Sequence, residues 1–124
     1  MTIRFARHTT DLEKIKSFYL EVLGLELLGR FENHDGYDGL FIGKPCLDWH
    51  LEFTTSAETP QHTFDEDDLL VLYPKTMAEY NALVTRLQEN HIPTIPSKNP
   101  YWNTNGLQFL DPDGYRILIS NLKT

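Results

Sequence analysis

RFARHTTDLEKIKSFYLEVLGLELLGRF, residues 4–31, changes hydrophobic period twice and so places a strand, a helix and a second strand in one short run. Apolar residues alternate in the overlapping segment TIRFAR, as they do on a half-buried strand. Through TTDLEKIKSFYLEVLGLE, Leu12, Ile15, Phe18, Tyr19, Val22 and Leu23 recur at helical spacing. Thr10 is the expected N-cap, with Glu13 three residues on, and Gly24 stands where a glycine ends a helix. Three further strand-like runs follow: LELLGRFEN, GLFIGKP and LDWHLEFTT, divided by NHDG, YDG and GKP.

The order then repeats after the polar link SAETPQHTFDED. LLVLYP reads as a strand, and KTMAEYNALVTRLQENHI as a helix with Met77, Tyr80, Leu83, Val84 and Leu87 on one face. PTIP is expected as an edge strand, GLQFLD as another, and YRILISN as the last after the turn DPDG, whose Asp111 and Asp113 are expected to bond backbone amides. Each half is therefore βαβββ, a repeat of pattern rather than of residues. The expectation is an α+β fold in one domain, 1–124, built of modules at about 1–56 and 66–124. Their curled mixed sheets would enclose a cavity, and a second copy of the chain is expected to complete a homodimer.

Composition narrows the function. With 11 Lys and Arg against 18 Asp and Glu, the net charge is -7 and the acidic residues are spread along the chain, so nucleic acid is not an expected partner. No run approaches the roughly 20 apolar residues of a membrane span, so no membrane partner is expected either. Cys46 is the single cysteine and cannot form an internal disulfide, which fits a reducing, cytoplasmic compartment. It reads as a buried bystander or, less simply, a reactive thiol. His91 closes the second helix and reads as a solvent-facing residue.

CLDWHLEF, residues 46–53, sets Asp48, His50 and Glu52 at alternate positions, hence on one strand face. At about 7 Å per two-residue step they cannot all converge on one ion. His50 and Glu52 joined by His8 or His34 would be another metal arrangement; His50 with Glu52, or His8 alone, would be a base without metal. Around the glycine-rich turn in NHDGYDGLF stand His34, Asp35, Tyr37 and Asp38, and NPYWNTNG brings Tyr101, Trp102, Asn103 and Asn105 to a loop. Aromatic faces beside amides suit a small organic ligand, although Tyr101 and Trp102 could equally cap the core. Glycine-rich phosphate loops and nucleophile elbows are absent from the sequence.

The opening residues 4–31, together with FLDPDGYRILISN at 109–121 and the segments HDGYDG, HLEF and NPYW, resemble the vicinal oxygen chelate superfamily over nearly the whole chain. Its members include glyoxalase I, bleomycin-resistance and fosfomycin-resistance proteins and extradiol dioxygenases. The resemblance implies a divalent metal held by side chains at four positions, which here carry Arg4, Glu52, Leu69 or Leu70, and Leu118. One family ligand of four, Glu52, is retained. Arg4 is a cation without a lone pair, so it would occupy the place of the ion's charge, in an expected ion pair with Glu52. Bleomycin-resistance-like members bind their drug without a catalytic metal. The resulting expectation is a small organic ligand held by Arg4, Tyr37, His50, Glu52, Tyr101, Trp102 and Asn103, with no metal and no cofactor. The other reading is a metal-dependent lyase, isomerase or dioxygenase of the same fold.

Overall fold

A computed structural model describes residues 1–122. The chain divides into two compact units, one from Met1 to His62 and a second beginning at Thr63.

In the first unit, strand β1 (Ile3–His8) leads into helix α1 (Leu12–Ser17), which a π-helical turn, Phe18–Val22, continues. Asp11, rather than Thr10, caps α1: its carboxylate accepts from the Lys14 amide at 3.0 Å, one residue further on than the sequence pattern suggested. The expected single helix is thus an α turn and a wider π turn, and both still bury one side, through Ile15, Phe18, Tyr19, Val22 and Leu23. Gly24 ends the element at φ 71°, donating to the Leu20 carbonyl, in the left-handed region that glycine enters without penalty.

Strands β2 (Glu26–His34), β3 (Tyr37–Gly43) and β4 (Trp49–Thr55) complete a four-stranded sheet of order β1-β4-β3-β2. β1 runs parallel to β4; the other pairs are antiparallel. Because side chains alternate, one face presents Leu40, Ile42, Leu51 and Phe53, all buried, and α1 packs on β3 and β4. Tyr19 lies 4.8 Å from the Phe53 ring, and Arg7, also buried, donates to the Tyr19 hydroxyl at 3.2 Å. Cys46 falls in the turn between β3 and β4 and is exposed, not buried.

The second unit holds β5 (Leu70–Leu72), α2 (Met77–Glu89), α3 (Pro100–Asn105), β6 (Gly106–Leu110) and β7 (Arg116–Ser120). Its sheet has the order β5-β7-β6, with β5 parallel and β6 antiparallel to β7. Thr76 caps α2 by accepting from the Glu79 amide, while Glu79 accepts from the Lys75 amide. Leu83 and Leu87 form its buried stripe, whereas Met77 is exposed at the N-terminal end. His91 is exposed beyond the C-terminal end, as expected.

Two segments differ from the sequence pattern. PTIP does not become a strand: Pro93 and Pro96 lack amide hydrogens, and only Ile95 bridges, antiparallel, to Gln108. The second sheet therefore shows three strands among the described residues, not four. NPYWNTN, expected as a loop, forms α3, because Asn99 accepts from the Tyr101 amide and Pro100 takes the first helical position. At the DPDG turn the Asp111 carboxylate accepts from the amides of Asp113 and Tyr115, both at 2.9 Å. No helix among the described residues is long and apolar enough to cross a membrane.

Gly106 is held by close approach. A Cβ there would lie 2.6 Å from the Ile119 carbonyl oxygen and 2.6 Å from Leu118. Gly106→Ala is therefore expected to destabilise the protein by about 1–3 kcal/mol, as overpacking does, instead of stabilising it by stiffening the unfolded chain. Urea unfolding reads this directly, and an unchanged midpoint would mean that β6 and β7 separate at no cost.

Candidate functional site

Opposite the helix-covered face, the first sheet carries Arg4, Ala6 and His8 from β1, beside His50, Glu52 and Thr54 from β4 and Phe41 from β3. The register sets the rows: Arg4 pairs with His50, Ala6 with Glu52 and His8 with Thr54, while Phe41 stands across from Glu52 on the other side. Asp48 lies just outside β4 and is exposed, so the alternating trio of the sequence reduces to His50 and Glu52.

Arg4 donates through Nε to His50 Nε2 at 2.9 Å, and its guanidinium carbon stands 4.7 Å from the centre of the Phe41 ring. The expected ion pair with Glu52 is not formed. In a parallel pair the side chain level with Arg4 is His50, and Glu52 lies one two-residue step further, level with Ala6. A guanidinium has only donors, so His50 Nε2 must accept, and the ring carries its proton on Nδ1. Cation, imidazole and benzene ring form one cluster, the Phe41 and His50 rings meeting edge-on with centroids 6.2 Å apart. The Glu52 side chain is half-buried and makes no ion pair or hydrogen bond among the described residues.

At the other end of β1, His8 meets two hydroxyls: Nδ1 is 2.7 Å from Thr54 Oγ1 and Nε2 is 3.0 Å from Ser56 Oγ. Hydroxyls donate or accept as required, so either tautomer is satisfied. Tyr37, 46% exposed, sets its ring edge-on to His8 at 5.7 Å, away from the Arg4 end of the face. Phe31 packs 5.7 Å from Phe41 and covers Gly39, where a Cβ would meet its ring at 2.3 Å. His34 is exposed at the β2–β3 turn, 3.9 Å from Asp35, and does not join His50 or Glu52.

Tyr101, Trp102 and Asn103 lie on α3 in the second unit. Trp102 lines a shallow depression of about 420 Å³ with Asp67, Leu69, Lys98 and Asn99, and the exposed Tyr101 ring stands edge-on to it at 5.0 Å. Asn103 is engaged locally: its side chain accepts from the Ser97 amide at 2.8 Å and donates to the Ser97 carbonyl at 3.1 Å.

The four metal-ligand positions implied by the resemblance do not fit a divalent ion. Arg4 has no lone pair to give, and Leu118 is an apolar side chain, fully buried in the middle of β7 opposite Gln108. Leu69 and Leu70 are equally without a donor, so Glu52 is the one oxygen donor of the set. Among the described residues no three His, Cys, Asp or Glu side chains gather as a metal-binding group.

Two participants escaped sequence reasoning: Phe41, which carries the guanidinium, and the Thr54–Ser56 pair around His8. Only the strand register, which no local pattern reveals, brings them beside β1.

Comparison with known proteins covers nearly the whole chain. Residues 3–54 match the YycE-like N-terminal domain family and residues 67–121 the YycE-like C-terminal domain family. The uncharacterized protein YycE of Bacillus subtilis (strain 168) is 40% identical over 98% of this chain and 88% of its own. The crystal structure of a YycE protein from Bacillus subtilis, of unknown function, superposes with a TM-score of 0.85 at 39% identity, over 99% of this chain and 90% of that one. Glyoxalase I of Leishmania major shares the fold at a TM-score of 0.74 and 21% identity, covering 98% of this chain and 86% of its own. TnmS3, an antibiotic binding protein from Streptomyces sp. CB03234, reaches a TM-score of 0.69 at 26% identity over 97% of this chain and 93% of its own.

The Arg4–His50 bond has a spectroscopic signature. Long-range ¹H–¹⁵N spectra of the histidine rings are expected to show His50 as the Nδ1–H tautomer, and to lose that preference in Arg4→Ala. An Nε2–H signal for His50 in the unaltered protein would mean that the bond does not exist.

Proposed function

The chain belongs to the YycE-like family within the vicinal oxygen chelate fold, and on that premise we propose that it binds a small organic molecule on the Arg4–His50–Glu52 face of its first sheet, without a catalytic metal. The observation that carries this reading is the state of Arg4. Its Nε bonds the imidazole of His50 and its guanidinium carbon stands over an aromatic ring; among the described residues no carboxylate pairs with it, and its Nη groups remain to donate to a ligand oxygen. A guanidinium presents such donors as a fork that matches a carboxylate. His50, and not Glu52, is the residue that orients it.

Phe41 and Phe31 supply apolar and aromatic surface beside these polar groups, the mixture found in small-molecule sites. TnmS3 is an antibiotic binding protein on the same fold, which supports binding as the activity rather than turnover. The donor set supports independence from metal, since a permanent cation stands at one ligand position and leucines at two others.

Phenylpyruvate, which combines a carboxylate, a carbonyl and a ring, is a suitable probe. At about ten times its Kd it adds roughly 1.4 kcal/mol of stability, read as a rise in melting temperature that Arg4→Ala abolishes. An equal rise in Arg4→Ala would remove Arg4 from the site. Metal independence is tested separately, by elemental analysis after dialysis against divalent ions without chelator. No stoichiometric ion is expected in the unaltered protein; one ion per chain that disappears in Glu52→Ala would overturn the metal-free reading.

A further inference from the structure

We propose that the ligand of this face is an α-amino carboxylate, its carboxylate on Arg4 and its ammonium on Glu52; this rests on the reading of the face as a small-molecule site. The face holds one cation and one anion that do not neutralise each other. Arg4 is pinned by a hydrogen bond to His50 and by the Phe41 ring, and its Nη groups have no partner among the described residues. Glu52 is half-buried, also without a partner among the described residues, and level with Ala6, whose methyl group is the smallest side chain β1 sets on this face.

Charge sign decides between ligand classes. A ligand bearing only a carboxylate would meet Arg4 but stand within a Debye length, about 8 Å, of the uncompensated Glu52. A ligand bearing only an ammonium would meet Glu52 and be opposed by Arg4 in the same way. One carrying both satisfies both, and each contact is a charge-assisted hydrogen bond.

Spacing narrows the class further. The Arg4 guanidinium reaches over the Phe41 ring, and Phe41 is the β3 residue level with Glu52, so the two charges stand close together on the face. A ligand that meets both carries its ammonium and carboxylate close together, as on one carbon, rather than at the ends of a long chain. Phe41, level with Glu52 on the neighbouring strand β3, and Phe31 packed on it add aromatic surface beside the two charges for the ligand's side chain.

Titration calorimetry with three probes of one skeleton tests this: L-phenylalanine, phenylpyruvate, which lacks the ammonium, and phenethylamine, which lacks the carboxylate. Phenylalanine is expected to bind at least about tenfold more tightly than either of the others, the worth of one hydrogen bond to a charged group. In Glu52→Gln the advantage over phenylpyruvate should fall towards unity, and in Arg4→Gln the advantage over phenethylamine should do so. Phenylpyruvate binding as tightly as phenylalanine would overturn the inference while leaving the face a small-molecule site. Binding of none of the three would overturn both. The ranking in the unaltered protein decides the matter even where a variant fails to fold.

Discussion

The parallel pairing of β1 with β4 is the constraint on which the first unit depends. Its register places Arg4 level with His50, Ala6 with Glu52 and His8 with Thr54. Because strand side chains alternate, a slip by one residue would carry all three β1 residues to the helix-covered face. Arg7 holds the register against such a slip. It is buried on that face, donates to the Tyr19 hydroxyl and lies 5.1 Å from the centre of the Phe53 ring. A buried guanidinium that lost these partners would be an uncompensated charge, which is among the costlier faults a core can contain.

Two arginines three residues apart thus do opposite work. Arg7 ties the strand to its helix, while Arg4 faces outward, anchored by an imidazole and a ring. The imidazole positions the guanidinium without cancelling its charge, and a carboxylate in that place would have cancelled it. Glu52 consequently remains available as a second, opposite charge on the same face. The result is a dipolar surface on the first sheet, built on a guanidinium that has no lone pair to offer a metal.

The second unit shows a different solution. Ser97 donates to Gln108 at 2.9 Å, and Asn103 grips the Ser97 backbone on both sides, so the segment leading into α3 is tied to β6 by polar side chains. Gln108 shares its face of the sheet with Leu118 across the pair, and both are buried. Apolar packing takes the position where the resemblance placed a carboxylate ligand. Gly106 lets β6 approach β7 closely at that point.

Much of this was legible in the chain itself. The change of period in residues 4–31, the glycine at 24 and the DPDG turn depend on neighbours a few residues away, and local rules describe them. The family resemblance and the loss of three metal donors were likewise readable from residue identities alone. The choice of Asp11 over Thr10 as cap and the failure of PTIP as a strand were within local physics but turn on single hydrogen bonds and missing amide hydrogens. The partner of Arg4 was of another kind. Whether it meets Glu52 or His50, and whether Phe41 lies beneath it, follows from which residues stand level across strands that are 46 positions apart in sequence. Register of that range is set by the packing of the opposite face, through Arg7, Tyr19 and Phe53, and it exists only once the sheet has formed.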